Sequence, residues 1–93
     1  MHIPKWNATV SLLPFAMAFG ERQKIVGKAL RKAREQAGLQ QIELGRLIGK
    51  TQGYVSKIEG GHQGVDVLLL HDIAIALGNE PADLYARITA ELP

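Results

Sequence analysis

The chain has 93 residues, the length of one small domain, and its composition excludes several classes of protein. It contains no cysteine, so disulfides, zinc ribbons and thiol chemistry are excluded. No run of about 18 or more apolar residues occurs, and the sequence therefore predicts no membrane span. The hydrophobic fraction of 46% is ordinary for a globular protein, whose stability must come from packing.

Basic and acidic side chains are divided between two parts of the chain. Residues 20–60 contain nine Lys or Arg and four Asp or Glu, whereas residues 61–93 contain one Arg and five Asp or Glu. One interpretation of such a run of like charges is simply a helix face exposed to solvent. It can also mark the side of a protein that faces phosphates, with the acidic part turned away from them.

Residues 1–19 differ from the rest, with one charged side chain, two prolines and three of the five aromatic residues. One interpretation is a secretory signal, because Lys5 precedes an apolar stretch and Ala16-Met17-Ala18 resembles a cleavage site; Pro14, however, interrupts that stretch. A second interpretation makes Met17 the natural start. A third is an ordered apolar arm that must bury its large side chains against another surface.

Beyond this arm the sequence predicts five helices, because apolar residues recur at helical spacing and no segment alternates as a strand does. Thr51 and Asp66 are suitable N-caps. Glycines end three of the helices, since glycine readily takes the left-handed conformation that follows a helix. The predicted helices cover residues 21–37, 40–48, 52–59, 66–77 and 81–90, and the three glycines are Gly38, Gly49 and Gly78. The expected fold is all-α, a compact five-helix bundle over residues 20–93 preceded by the N-terminal apolar arm.

The apolar faces of the predicted helices indicate the core. Apolar residues that share a helix face are, in chain order, Val26, Leu30, Ala33 and Ala37; Leu44, Leu47 and Ile48; Val55 and Ile58; and Val67, Leu70, Ala74 and Leu77. The last group leaves Leu68 and Ile75 on nearly the opposite side of the fourth helix. Gly45 is expected where the second and third helices cross, because the absence of a side chain permits close approach.

Residues 40–61, reading QQIELGRLIGKTQGYVSKIEGG, describe two short helices joined by a tight turn. Together with their neighbours, from about residue 23 to 88, they resemble the phage repressor/Cro (XRE-type) family. The matching residues are Gly27, Leu30, Arg31, Arg34 and Glu35 before the motif, Gln41, Leu44, Gly49, Ser56, Ile58, Glu59 and Gly61 within it, and Leu70, Ala74, Leu77, Gly78 and Leu84 beyond it. The resemblance implies a bundle of the lambda-repressor-like type, binding to double-stranded DNA, and an ion pair between Arg34 and Glu59.

A helix-turn-helix protein contacts base edges with the first turns of its second helix. The resemblance assigns a base contact to Gln52, and glutamine can bond adenine in a bidentate manner. It assigns phosphate contacts to Gln41 and Tyr54, and Lys50 in the turn is a further candidate. Thr51 has a methyl group for thymine or a hydroxyl group for phosphate, while Gly53 lacks the side chain that is usual at its position. The exposed face is completed by Ser56 and Lys57.

The loop after Glu59 departs from the family pattern. It reads Gly60-Gly61-His62-Gln63-Gly64 where similar members carry several basic residues. Fewer phosphate contacts predict weak binding by one subunit, which makes dimerisation important. The outward face of the fourth helix lies in the acidic half, far from the expected DNA contacts, and together with the unburied apolar arm it predicts one homodimer interface. Its residues are Trp6, Leu12, Leu13, Phe15, Leu68 and Ile75.

These observations predict a cytoplasmic, sequence-specific transcriptional regulator that acts as a homodimer on a near-palindromic operator. An antitoxin-like module is the alternative, with an arm that masks a protein partner and with DNA binding secondary or lost. The uncharged loop and Gly53 favour this alternative. No enzyme is expected, because no nucleophile, base and acid set is present. His2, His62 and His71 lack metal-ligand spacing, so neither a metal nor a cofactor is expected.

Overall fold

The computed structural model describes residues 19–93; the predicted arm, apart from Phe19, lies outside the described residues. Five α-helices follow one another, and no strand occurs among the residues described. They are α1 (Phe19–Gln36), α2 (Gln41–Ile48), α3 (Gln52–Glu59), α4 (Val67–Ala76) and α5 (Pro81–Thr89). The predicted all-α bundle is confirmed. Phe19, assigned to the arm, is instead the first residue of α1.

Local side-chain and backbone chemistry fixes the ends of the helices. The Thr51 hydroxyl oxygen accepts the N–H of Tyr54 at 3.1 Å, and the Asp66 carboxylate accepts the N–H of Leu69 at 2.8 Å, so both predicted N-caps are present. α2 begins one residue later than predicted, because Gln40 has an extended backbone. The three glycines predicted to end helices have φ angles of 75°, 70° and 73°, at Gly38, Gly49 and Gly78 respectively.

The core lies where the five helices meet. Apolar side chains from every helix enter it and retain at most 8% of their exposed area. The buried apolar residues are Leu30, Ala33, Leu44, Val55, Ile58, Leu69, Ile73, Ala74, Leu77, Leu84 and Ile88. Val55 and Ile58 are buried on the inward face predicted for α3, so the opposite face of this helix is directed outward.

Three residues predicted to lie on inward faces are exposed. Ala37 follows the end of α1, in the turn that precedes a left-handed glycine. Leu47 is 60% exposed, because α2 packs through Leu44 and Gly45 instead. Val67, the first residue of α4, is 78% exposed.

The inward face of α4 is centred on residues that the sequence did not indicate. Leu69 and Ile73, four residues apart, are both buried, whereas Leu70 is only half-buried. The helix reads VLLLHDIAIA and is apolar on almost every side, so spacing alone does not select one face. Leu68 and Ile75 are exposed, as predicted.

Two glycines allow helices to approach closely. A Cβ atom on Gly27 would lie 2.4 Å from the carbonyl oxygen of Ile58, so the backbone of α1 touches the end of α3. A Cβ atom on Gly45 would lie 2.7 Å from the carbonyl oxygen of Lys50, in the turn between α2 and α3. The close approach predicted at Gly45 is therefore present, and both contacts fix where α3 lies.

A buried ion pair joins α1 to the end of α3. Arg34 Nε donates to Glu59 Oε2 at 2.7 Å and Arg34 Nη2 donates to Glu59 Oε1 at 2.9 Å. The third nitrogen, Nη1, donates to the carbonyl oxygen of Leu39 at 2.7 Å. The hydrogen bonds to Glu59 raise the pKa of Arg34 above its ordinary value, although burial acts in the opposite direction. Arg34 is therefore charged at and around neutral pH.

We expect Gly27→Ala to lower the free energy of unfolding by about 1–3 kcal/mol, because the added methyl group meets backbone atoms that cannot rotate away. Gly20→Ala, in the same helix and with no heavy atom near the new Cβ, is the control and should not destabilise the fold. Urea denaturation followed by circular dichroism measures both. Equal stabilities would show that the contact between α1 and α3 is easily displaced.

Arg34→Met should lower the free energy of unfolding by about 3–5 kcal/mol, because it leaves the Glu59 carboxylate buried without its partner. The matched control is Lys32→Met, since an exposed cation on the same helix should contribute about 0–1 kcal/mol. The melting temperatures of the two variants are compared by thermal unfolding. A similar melting temperature for both would contradict a structural role for the ion pair.

Candidate DNA-binding surface

One face of α3 is exposed and polar. Gln52, Gly53, Ser56 and Lys57 are all exposed, whereas Val55 and its neighbours on the other side of the helix enter the core. Positions three and four residues apart share a helix face. The four exposed residues therefore form one continuous surface along the first two turns of α3, and this surface is available to a partner.

A chain of hydrogen bonds connects this surface to the buried ion pair. Gln41, the first residue of α2, donates its Nε2–H to Glu59 Oε1 at 2.9 Å. Gln52, the first residue of α3, donates its Nε2–H to Gln41 Oε1 at 2.7 Å. Both glutamine side chains are thereby oriented by Arg34 and Glu59, although Gln52 itself is exposed.

Gln52 keeps the groups that a base contact requires. Within residues 19–93 its amide uses one N–H for Gln41, and no other side-chain bond of Gln52 is formed. One amide N–H and the carbonyl oxygen are left, and these are the donor and acceptor that bond N7 and N6 of adenine. Since the side chain is already held in place, less conformational entropy is lost on binding.

The turn before α3 brings three further candidate residues together. Thr51 is exposed and uses its hydroxyl oxygen to cap α3, so that its hydroxyl hydrogen remains available as a donor. The Lys50 ammonium lies 4.9 Å from the centre of the Tyr54 ring, within the range of a cation–π interaction. Tyr54 is half-buried and packs against the core. Lys50 is therefore an exposed cation held beside the start of α3.

The loop that follows α3 is tightly constrained by its backbone. Gly61 has a φ of 79°, and a Cβ atom there would lie 2.7 Å from the backbone of Lys24. The backbone N–H of His62 donates to the carbonyl oxygen of Lys57 at 2.8 Å. The His62 side chain is exposed. The loop brings no Lys or Arg to this side of the molecule.

The predicted interface residues are only partly described. Leu68 is 73% exposed and Ile75 is 59% exposed, so both apolar side chains face away from the core. The four residues assigned to the arm, Trp6, Leu12, Leu13 and Phe15, lie outside the described residues. Val67, which the sequence assigned to the core, extends the exposed apolar surface of α4.

Sequence reasoning did not find the links between the site residues. Gln41 stands on α2, whereas Gln52 and Glu59, 11 and 18 positions further on, stand on α3, so periodicity along one helix does not connect Gln41 to them. No helix among residues 19–93 is long and apolar enough to cross a membrane. Within the same range, no group of three or more His, Asp or Glu is placed to hold a metal ion.

Comparison with known proteins agrees with this geometry. A family model described as helix-turn-helix matches residues 30–84. An HTH-type transcriptional regulator from Sinorhizobium fredii is 33% identical over 64 residues, which cover 69% of this chain and 83% of that protein. An XRE-family like protein from Pseudomonas syringae superposes with a TM-score of 0.67 at 30% identity, over 94% of this chain and 99% of the other.

Two further crystal structures are similar. The clp gene regulator ClgR from C. glutamicum gives a TM-score of 0.70 at 29% identity, covering 77% of this chain and 94% of that one. The restriction-modification controller protein C.AhdI from Aeromonas hydrophila gives a TM-score of 0.63 at 33% identity. The match covers 71% of this chain and 94% of that one. The family match spans more than half of the sequence, and the chain therefore belongs to the XRE-type helix-turn-helix family of DNA-binding transcriptional regulators.

Proposed function

We propose that the protein regulates transcription by binding a near-palindromic operator as a homodimer, with α3 in the major groove. The observation that carries this proposal is the orientation of Gln52 by Gln41 and the buried ion pair. A glutamine needed only for solubility would gain nothing from being held in this way. An oriented amide at the start of an exposed helix is suited to contact an adenine edge.

The charge distribution supports DNA binding by the same face. Helices α1 to α3 lie in the basic part of the chain, and the acidic side chains are concentrated in the part that contains α4 and α5. Lys50 precedes the exposed face of α3 and Lys57 is part of that face; both cations are exposed and suited to contact phosphates. Gln41 stands at the positive end of α2, where backbone N–H groups favour a phosphate oxygen, and Tyr54 is proposed to contact the same backbone.

The small number of cations near α3 favours binding as a dimer, because two subunits together contact more phosphates than one. Residues 60–64 contain no Lys or Arg, so one subunit neutralises few phosphates and binds weakly. We propose that Leu68 and Ile75 pair with the apolar arm across a twofold axis. This interface would lie in the acidic half of the domain and would leave both α3 helices facing DNA. Successive major grooves on one side of a duplex are about 34–36 Å apart, which sets the separation of the two helices.

An antitoxin-like protein-interaction module is a second candidate function. The uncharged loop and the exposed apolar residues of α4, Val67 and Leu68, favour it, because they suit a protein partner better than a phosphate backbone. Purification from the native host distinguishes the two functions. A stoichiometric protein partner that releases the chain from DNA supports the second, whereas selection of a defined duplex from a random DNA pool supports the first.

Base contact by Gln52 is tested by comparing two substitutions on the selected duplex. Gln52→Ala should weaken specific binding by about 1–3 kcal/mol and relax the preference at one base pair in each half-site. Lys50→Ala should weaken binding to all sequences alike and lower the salt dependence by about one ion per subunit. Titrations at several salt concentrations measure both. Unchanged selectivity in Gln52→Ala would mean that another residue reads the base.

The dimer interface is tested by removing the arm. A chain that begins at Met17 should sediment as a monomer, retain its helical circular dichroism and bind the selected duplex far more weakly. Leu68→Ser should weaken the dimer in the full chain, whereas Leu47→Ser, also at an exposed leucine, should not. A shortened chain that remains dimeric would show that the arm does not hold the two subunits together.

A further inference from the structure

Gly53 is a glycine for which the fold provides no reason. It lies in the first turn of α3 with an ordinary helical backbone. Apart from its chain neighbours and the backbone of its own helix, the nearest heavy atom to an added Cβ would be Thr51 Oγ1, at 3.9 Å. Glycine in a helix is less stable than alanine, because it loses more backbone freedom on folding. The stability of the domain would therefore be improved by a larger residue at this position.

Six other glycines in the described residues have structural reasons. Gly38, Gly49, Gly61 and Gly78 have positive φ angles, which a residue with a Cβ atom adopts with strain. Gly27 and Gly45 allow backbones to touch. Gly20 shares the properties of Gly53, since it is the second residue of its helix, is exposed and has no atom near an added Cβ. Only Gly53 of these two lies on the face assigned to DNA.

Gly53 leaves open space between the side chains of this exposed face, and we call this space the notch. Ser56, one turn further along the same face, is also small, and the longer side chains of Gln52 and Lys57 stand on either side. The Gln52 side chain is held toward Gln41 by a 2.7 Å hydrogen bond. The bottom of the notch is the Cα of Gly53, which offers an apolar surface without a side-chain donor or acceptor.

The geometry points to a thymine 5-methyl group as the occupant of this notch. This inference rests on the proposed function, and it makes Gly53 a specificity-determining residue in addition to Gln52. The methyl group is the one apolar feature that a base pair presents in the major groove, and it projects from the base edge. A notch with an apolar floor fits it, and a glycine lets the helix backbone approach closely enough for contact.

The test combines Gly53→Ala with deoxyuridine, which lacks only the 5-methyl group of thymine. Each thymine of the duplex selected by the wild-type protein is replaced singly, and affinities are measured for both proteins. We expect one position per half-site at which deoxyuridine lowers wild-type affinity by about fourfold, as loss of one buried methyl group predicts. Gly53→Ala should bind the thymine duplex about tenfold more weakly, because its own methyl group fills the notch. Deoxyuridine at that same position should restore part of this loss.

Gly20→Ala is the matched control for the alanine substitution. Both variants should raise the melting temperature by about 2–6 °C, as expected for alanine replacing glycine in an unstrained helix. Only Gly53→Ala should lose DNA affinity. A lower melting temperature in Gly53→Ala would overturn the inference by giving this glycine a structural role. Unchanged affinity in that variant, or equal losses on thymine and deoxyuridine at every position, would also overturn it. If the wild-type protein selects no duplex from the random pool, the proposed function itself is wrong, and the inference about Gly53 is wrong with it.

Discussion

The carboxylate of Glu59 is the group on which the candidate DNA-binding surface depends. One of its oxygens accepts hydrogen bonds from Arg34 and from Gln41, and the other accepts a second bond from Arg34. This single group at the end of α3 thus fixes α3 relative to both α1 and α2. An ion pair that is buried contributes little net stability by comparison with apolar packing, because both ions lose their hydration. Its directional bonds instead specify one arrangement of the three helices.

Backbone contacts and polar contacts act on different parts of α3. The glycines at positions 27 and 45 bring other backbone segments against the carboxyl end of α3 and against the turn before it. The hydrogen bonds of Gln41 act on the exposed side of the same helix. The position of α3 is therefore set by close backbone contacts, and the orientation of the Gln52 side chain is set by hydrogen bonding. A base contact requires both, since a bidentate bond tolerates little displacement of the amide.

Sequence reasoning predicted the helices well, because their ends are marked by local chemistry. Thr51 and Asp66 cap helices, and left-handed glycines end them, whatever the rest of the fold does. The inward face of α4 was predicted only in part: Ala74 and Leu77 are buried as expected, but Leu69 and Ile73 were missed. A helix that is apolar on nearly every side has no preferred face until its neighbours are placed. The link from Gln52 to Glu59 was equally hidden. It depends on a contact between side chains of two different helices, which is set by how α2 packs on α3 and not by spacing along either one. Only the Arg34–Glu59 pair was implied by family resemblance.

The shortness of α3 has a consequence for how the regulator responds to heat. An eight-residue helix is too short to persist alone in water, so its order depends on the contacts with α1 and α2. The exposed face of α3 therefore loses its structure when the domain unfolds. A long basic helix that folds on contact with DNA does not depend on a surrounding domain in this way. If α3 binds DNA as proposed, DNA binding and cooperative unfolding should therefore share one temperature dependence. Substitutions that weaken the core far from DNA would then give temperature-sensitive regulation in the cell, with normal control at low temperature and loss of control on warming.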